Sequence, residues 1–197
     1  MSVVKSLVSR CLRTLVRPRM LYGLRRHDGV WLPHTRVSTT SELQGEARLQ
    51  IEDHVYIGHF NFIDASGGLT IGEGTQITHH VAVLTHSSHV ATRLMGRQYW
   101  GHPEPVGVQR AATHIGPYCF IGAHSVVMPG SRLGRGVLVR AFSYVDGDFP
   151  DHAVIGGQPA RVLGDVRDLD AAWIARHPEL APHYCGTGWA PSPSSEP

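Results

Sequence analysis

Branched aliphatic residues recur at every sixth position through most of this chain, and this repeat limits what the chain can fold into. The repeat runs through Ile51, Ile57, Ile63, then Ile71, Ile77, Val83, and finally Ile115, Ile121, Val127, Leu133, Val139 and Val145. A six-residue repeat is typical of a parallel β-helix, in which short strands coil around one axis and aliphatic side chains stack along it. The sequence therefore predicts an all-β solenoid; a β-sandwich with regularly spaced turns is the alternative.

Glycine directly follows several of these aliphatic residues, as in Ile57-Gly58 and Ile121-Gly122. Tight turns need backbone conformations that a Cβ obstructs, so we expect these glycines to form the turns of the coil. Cys119 stands at a position where small or β-branched residues recur, which predicts a buried and inert thiol.

The composition excludes several classes of protein. A net charge of +2 gives no reason to expect nucleic-acid binding. The three cysteines, at positions 11, 119 and 185, form no disulfide or metal-binding pattern and favour a reducing compartment. No apolar stretch reaches the ~18 residues of a membrane span, and the N-terminus lacks the apolar core of a signal peptide. The sequence therefore predicts a cytoplasmic location.

Three segments follow from the patterning. Residues 1–36 are predicted to form a basic N-terminal helix, over residues 3–16, and a connector. Residues 37–165 form the hexapeptide-repeat domain, in which Val37, Leu43 and Leu49 make an imperfect first coil and residues 86–112 form an inserted loop. Residues 166–197 form a short helix over residues 169–176, capped by Asp168 or Asp170, and a disordered tail.

The predicted N-terminal helix has two interpretations. Residues 1–26 carry seven basic and no acidic residues, and apolar residues recur at helical spacing over residues 3–16. The apolar face either docks against the end of the solenoid or a neighbouring subunit, or it makes peripheral contact with an anionic membrane surface at the inner membrane face.

The hexapeptide blocks, the histidine-bearing insert and the closing run IGGQPARV at residues 155–162 together resemble the left-handed β-helix (hexapeptide-repeat) acyltransferases. The resemblance covers about residues 37–165 and is strongest to sugar O-acetyltransferases of surface-polysaccharide biosynthesis, with maltose and nodulation-factor acetyltransferases more distant. It implies a left-handed coil, assembly as a homotrimer, acetyl-CoA as co-substrate and a sugar or glycan acceptor, with no metal expected.

Acetyl transfer to a sugar hydroxyl needs a base that takes the hydroxyl proton as attack begins, and a neutral histidine suits this task. In the family the catalytic histidine stands where the last strand of a coil gives way to the insert. The resemblance therefore assigns the base to His86, in the run ValLeuThrHis, with His89 as the second candidate. Direct attack on the thioester, without a covalent acyl-enzyme, is expected.

The resemblance also indicates how acetyl-CoA is held. Backbone groups at Gly122, Ala123 and Ala141 are expected to line the groove for the pantetheine arm. In the closing run, Pro159 and Ala160 are expected to contact the cofactor, and Arg161 its phosphates, which favour a guanidinium fork. A solvated surface charge is the alternative for Arg161.

The insert is expected to build the acceptor site. Tyr99 and Trp100 have rings that can stack on a sugar face, and His102 and Glu104 can hydrogen-bond its hydroxyls. The alternative is that these four residues pack the insert against a neighbouring subunit.

Three other functions remain open. The same fold can carry an N-acyltransferase, because an amino sugar with a pKa nearer neutrality needs less help from a base. A zinc enzyme of the γ-carbonic-anhydrase type would need three histidines meeting between subunits, with candidates at His79, His80, His114 and His124. The matching spacing of histidines is absent from the sequence. A non-catalytic trimeric scaffold is the third alternative.

Overall fold

The computed structural model describes residue 7 and residues 17–193. Residues 1–16, except Leu7, and residues 194–197 lie outside the described residues, so the predicted N-terminal helix and the end of the tail are not part of this description. Within the described residues, no helix is long and apolar enough to cross a membrane.

Short strands make up most of the described chain. In chain order they are β1 (Met20–Arg25), β2 (Trp31–Ser38), β3 (Glu42–Gln44), β4 (Leu49–Ile51), β5 (Tyr56–Ile57), β6 (Phe62–Asp64), β7 (Leu69–Ile71), β8 (Gln76–Ile77), β9 (Ala82–Val83), β10 (His86–Ser87), β11 (Gln109–Arg110), β12 (Thr113–Ile115), β13 (Phe120–Ile121), β14 (Val126–Val127), β15 (Arg132–Leu133), β16 (Leu138–Val139), β17 (Tyr144–Val145), β18 (Asp148–Phe149), β19 (Ala153–Gly157) and β20 (Ala160–Asp165).

Helical segments lie outside the repeats or at their corners. They are α1 (His89–Met95), α2 (Val166–Arg176) and 3₁₀ segments at Glu46–Arg48, Gly96–Tyr99 and Pro178–Gly186.

The strands form the three faces of a parallel β-helix in the described chain. Face A contains β2, β5, β8, β13, β16 and β19; face B contains β3, β6, β9, β14 and β17; face C contains β4, β7, β12, β15 and β18. Along each face every strand pairs in parallel with its counterpart one coil later, as Ile57 does with Ile77 and Ile121 with Val139. The predicted solenoid is therefore present, and Val37, Leu43 and Leu49 lie in its first coil.

The repeating aliphatic side chains fill the axis of the coil. Ile57, Ile77 and Ile121 are stacked in register on face A and are fully buried. Cys119 is also buried, and its Sγ donates to the carbonyl of Gly134 at 3.0 Å. Burial raises the pKa of the Cys119 thiol to about 12, in agreement with the predicted inert thiol.

The glycines after the aliphatic residues serve a different purpose from the one predicted. Gly122 has no left-handed φ, but a Cβ there would lie 2.5 Å from the amide nitrogen of Ala141 in the next coil. At Gly58 the carbonyl oxygen of Thr78 would be 2.2 Å away. These glycines are required because successive coils approach closely, and not because a turn needs a positive φ.

At one corner of the coil, left-handed turn conformations fall on aromatic residues instead. Phe60, His80, His124 and Phe142 have φ between 57° and 61° and form one column along the corner between faces A and B, here called the A/B corner. Their rings stack with centroids 5.0, 4.8 and 4.9 Å apart. The left-handed conformation costs roughly 1–2 kcal/mol per residue, and stacked pairs contribute about 0.5–1.5 kcal/mol each, so the ring column offsets much of the strain.

Both ends of the described solenoid contain features that the sequence did not predict. The antiparallel pair β1–β2 begins the described solenoid, and the antiparallel pair β19–β20 closes it. Helix α2 begins at Val166, and its cap is Asp165, whose side chain accepts from the amide of Arg167, so the prediction of Asp168 or Asp170 is wrong. The insert is not simply a loop, because it contains α1 and a 3₁₀ turn.

Candidate active site

The insert leaves and rejoins the coil at one point. His86 and Ser87 pair antiparallel with Arg110 and Gln109, so β10 and β11 tie the two ends of the insert together. This point is the corner between faces B and C, here called the B/C corner, directly after β9. His86 is therefore held on paired backbone at the base of the insert.

A buried carboxylate lies next to His86. Nδ1 of His86 is 2.7 Å from Oδ2 of Asp64 and 3.1 Å from Oγ of Ser66. The Asp64 side chain is 0% exposed, whereas that of His86 is 39% exposed. The pair thus joins a group inside the coil to a ring that reaches solvent.

Asp64 is held as an anion by its neighbours. Burial alone would raise the pKa of the Asp64 carboxyl, but hydrogen bonds from Ser66 and Thr85 outweigh it and hold the pKa well below its usual range. Thr85 donates both its amide, at 3.0 Å, and its hydroxyl, at 2.8 Å, to Oδ2. The Ser66 amide donates to Oδ1 at 2.9 Å.

This arrangement determines which nitrogen of His86 is free to accept a proton. An ionised carboxylate only accepts hydrogen bonds, so Nδ1 of the neutral ring carries the proton toward Asp64. Nε2 then has the free lone pair, and none of the described residues hydrogen-bonds to it. A carboxylate behind a histidine also stabilises the imidazolium that forms when the ring accepts a proton.

His89 lacks such a partner. It begins α1, is exposed, and its Nδ1 is 2.7 Å from Oγ of Ser87. Of the two histidines predicted as the base, only His86 contacts a carboxylate among the described residues.

His86 opens into a cleft of about 560 Å³. Its walls come from the first coil, the turn after β6 and the base of the insert, with lining residues Gly45, Ala47, Arg48, Ser66, His86 and Arg110. The cleft leaves open space beside the His86 ring.

The predicted pantetheine groove lies elsewhere on the same chain. Gly122, Ala123 and Ala141 lie at the A/B corner, before the strands of face B, whereas His86 comes after them. The Gly122 amide donates to the carbonyl of Val139 at 2.8 Å and is thus already used. Within one chain, face B separates these residues from His86.

The closing run forms the hairpin β19–β20. Pro159 lies at its two-residue turn, Ala160 is buried in the core, and Arg161 is exposed. Nη1 of Arg161 donates to the carbonyl of Ala160 at 2.8 Å. Arg161 remains available to an anion, whereas the Ala160 side chain packs inside the coil.

The residues predicted for the acceptor lie on the insert and do not line the cleft. Trp100 is 86% exposed, and its ring meets Tyr99 edge to face, with centroids 6.2 Å apart. Nδ1 of His102 accepts from the amide of Glu104 at 3.2 Å.

The histidines considered for zinc are divided between two places. His79, His80 and His124 lie at the A/B corner, and His114 lies on face C. Among the described residues, the group with ligand atoms close enough to share an ion is His34, Asp53 and His54, where Asp53 already accepts from His34 at 2.9 Å.

Sequence reasoning missed the residues that support His86, namely Asp64, Ser66 and Thr85. Asp64 directly follows the inward-facing Ile63, and alternation along a strand predicts an outward-facing residue there, so no local pattern indicated that its carboxylate is buried. Its distance of 22 residues from His86 is about one coil in this region, which brings the two together.

The repeat block agrees with a known family. Residues 112–147 match the family model "Bacterial transferase hexapeptide (six repeats)". The chain is therefore similar to the hexapeptide-repeat acyltransferases. Two curated O-acetyltransferases are similar to this chain.

The putative lipopolysaccharide biosynthesis O-acetyl transferase WbbJ of Escherichia coli K12 is 27% identical over 139 residues, covering 66% of this chain and 66% of that protein. The galactoside O-acetyltransferase of the same organism is 32% identical over 104 residues, covering 52% of this chain and 46% of that protein. The chain thus spans about half to two thirds of the length of these relatives.

A solved structure shares the fold. AntD, an N-acyltransferase from Bacillus cereus in complex with dTDP and 3-hydroxybutyryl-CoA, has a TM-score of 0.52 and 17% identity. The match covers 74% of this chain and 89% of that one. At this identity the likeness concerns the fold alone.

Proposed function

We propose that this hexapeptide-repeat acyltransferase transfers an acetyl group from acetyl-CoA to a hydroxyl of a sugar or glycan, in polysaccharide or glycolipid biosynthesis. The observation that carries the proposal is the pair formed by His86 and the buried Asp64 at the base of the insert. A hydroxyl is a poor nucleophile until its proton is removed, and this pair supplies an oriented base.

The proposed reaction is a direct attack. The acceptor oxygen adds to the thioester carbon while its proton passes to Nε2 of His86, and Asp64 stabilises the resulting imidazolium. The tetrahedral intermediate then collapses, the carbon–sulfur bond breaks, and the proton returns to the departing thiolate. The products are an acetyl ester and coenzyme A, and no acyl-enzyme forms.

The proposal includes a left-handed coil and a homotrimer, as the resemblance implies. The separation of His86 from Gly122, Ala123 and Ala141 by face B supports assembly, because one chain alone does not hold the base beside the predicted groove. In the trimer, the A/B corner of one copy would face the B/C corner of the next. The pantetheine arm would lie between them, with Arg161 toward the phosphates.

An N-acyltransferase acting on an amino sugar is the second candidate. It is favoured by the similarity to the dTDP-4-amino-4,6-dideoxy-D-glucose acyltransferase of Escherichia coli, which is 25% identical over 121 residues. The Asp64–His86 pair favours the hydroxyl, since an amine that is neutral near working pH attacks with less help from a base.

The first test is acetyl-CoA turnover, followed by thiol release, with a panel of sugars, amino sugars, nucleotide sugars and glycolipid extracts. We expect His86→Ala to lower turnover with a hydroxyl acceptor by roughly 10²–10⁴-fold while acetyl-CoA binding is kept. His89→Ala is the matched control on the same insert and should retain activity. Equal turnover in His86→Ala and wild type would contradict the assignment of the base.

A further inference from the structure

The cleft beside His86 contains two guanidinium groups that the proposed chemistry does not use. Arg48 ends the 3₁₀ turn of the first coil, and Arg110 lies in β11 at the end of the insert. The two residues are 62 positions apart in the chain, and the coil brings them to one cleft together with His86.

Arg110 is placed by the pairing that holds His86. The two residues are direct partners in the antiparallel pair β10–β11. Side chains of directly opposed residues leave a sheet on the same side, with Cβ atoms about 4.5–5.5 Å apart. The Arg110 guanidinium is therefore within reach of a molecule that contacts the His86 ring.

Arg48 is placed by the turn that also contacts His86. Its Nη1 donates to the carbonyl of Ser66 at 2.7 Å, and the Ser66 hydroxyl is 3.1 Å from Nδ1 of His86. A guanidinium has five N–H donors, so one bond to a carbonyl leaves most of its donors for a ligand. Arg48 is thereby oriented beside the base without being neutralised.

No carboxylate within the described residues forms a salt bridge with either arginine. Asp64, the acid nearest the base, is buried and already accepts from Ser66, Thr85 and His86. Two guanidinium groups without an acidic partner, in an open cleft, are suited to a bidentate oxyanion such as phosphate or carboxylate.

The anion belongs to the acceptor and not to acetyl-CoA, if the proposed function holds. The thioester must reach His86, and the long pantetheine arm then keeps the phosphates of the coenzyme away from this cleft. We infer that the acceptor carries an oxyanion, a phosphate or a carboxylate, on or next to the sugar unit that is acetylated, and that Arg48 and Arg110 bind it. This inference rests on the proposed function.

The kinetic test compares glucose, glucose 1-phosphate and glucuronic acid as acceptors for wild type, Arg48→Gln, Arg110→Gln and the control Arg93→Gln. Arg93 is exposed on α1 of the same insert and does not line the cleft. We expect wild type to prefer an anionic acceptor, and each cleft variant to lower kcat/KM for that acceptor by about 10- to 100-fold. KM for acetyl-CoA should not change, and Arg93→Gln should match wild type.

The two anionic acceptors distinguish a phosphate from a carboxylate as the recognised group. Preference of wild type for neutral glucose would overturn the inference. A rise in KM for acetyl-CoA in Arg48→Gln or Arg110→Gln would also overturn it, because the arginines would then serve the coenzyme phosphates.

A binding measurement keeps the inference testable if no acceptor supports turnover. Calorimetry would measure the binding of glucose 1-phosphate, inorganic phosphate and glucose to the His86→Ala variant. The same three ligands would then be titrated into the double variant that also carries Arg110→Gln. Anion binding that disappears with Arg110→Gln supports the oxyanion site even where the proposed transfer fails. If no anion binds, or if Arg110→Gln leaves anion binding unchanged, the inference is wrong.

Discussion

At the scale of single residues, Asp64 is the most constrained group in the candidate site. A buried carboxylate is costly unless it is hydrogen-bonded, and here Ser66, Thr85 and His86 all contact it. The same contacts orient the His86 ring. In the proposed mechanism Asp64 is therefore a positioning residue, which acts through His86 and does not contact the acceptor.

Asp64→Asn tests this role. The neutral amide would no longer stabilise the imidazolium or select the tautomer, so we expect kcat to fall by at least ~10²-fold while KM for acetyl-CoA is unchanged. Steady-state kinetics with the preferred acceptor measures both constants. Activity within a few-fold of wild type would show that the carboxylate does not support the base.

The lowered pKa of Asp64 also predicts how stability depends on pH. A carboxyl with a depressed folded-state pKa stabilises the fold fully above its unfolded value of about 3.9, and this stabilisation is lost as the pH falls below that value toward the folded pKa. Asp64→Asn lacks this contribution. The difference in free energy of unfolding between wild type and Asp64→Asn should therefore shrink as the pH falls from about 5 to about 3.

Urea denaturation of wild type and Asp64→Asn at several pH values in this range measures the two free energies of unfolding. A difference that stays constant down to about pH 3 would mean that Asp64 has the same proton affinity in both states.

At the scale of the repeat, the spacing between coils is the controlling quantity. Each coil lies on the next through backbone hydrogen bonds, such as that from the Gly122 amide to the Val139 carbonyl at 2.8 Å. A side chain at the glycine positions would have to separate the coils. The repeated aliphatic-glycine pairs are thus a packing requirement of the stack.

Gly122→Ala should therefore destabilise the protein, by about 1–3 kcal/mol, because its Cβ would lie 2.5 Å from Ala141 N and 2.7 Å from the Val139 carbonyl oxygen. Gly164→Ala is the matched control, since a Cβ at Gly164 would meet nothing within 4 Å and the residue has no left-handed φ. Chemical denaturation of the two variants beside wild type measures the difference. Equal stability of both variants would contradict the close-approach account.

At the scale of the whole molecule, the proposed site has two halves at different corners of the coil. His86 and its cleft lie after face B, and the predicted groove at Ala123 and Ala141 lies before it. The two halves meet only if a second copy supplies one of them. The homotrimer is thus part of the proposed mechanism and not only a matter of stability.

Complementation tests a shared site. His86→Ala removes the base, and Ala141→Tyr fills the predicted groove, so each variant alone should be inactive. Coexpression of differently tagged copies should restore up to about a quarter of wild-type activity, because random mixing gives that fraction of interfaces two intact halves. If mixed oligomers, verified by sequential affinity purification, stay inactive, the two halves belong to one chain.

The amount that could be predicted from sequence differs between the core and the corners. The six-residue period alone predicted the coil, because Ile57, Ile77 and Ile121 can stay buried only if successive coils stack in register. The conformational reason predicted for a glycine at position 122 was wrong, because its φ is not left-handed and the close approach of backbones depends on the distance between coils, which no local pattern encodes. His80 and His124 adopt left-handed turns that glycine was expected to fill, because their rings stack with rings of other coils.

Periodicity, or a break in it, is enough to predict the solenoid and to locate the insert, and the resemblance to hexapeptide-repeat acyltransferases selected His86 as the candidate base. Three features required the folded coil: Asp64 lies behind His86, Arg48 and Arg110 line its cleft, and the predicted groove lies across face B. These are contacts between coils or across the insert, so they depend on coil length and on where the insert returns. A repeat specifies which residues face inward, whereas the stacking of coils specifies which residues meet.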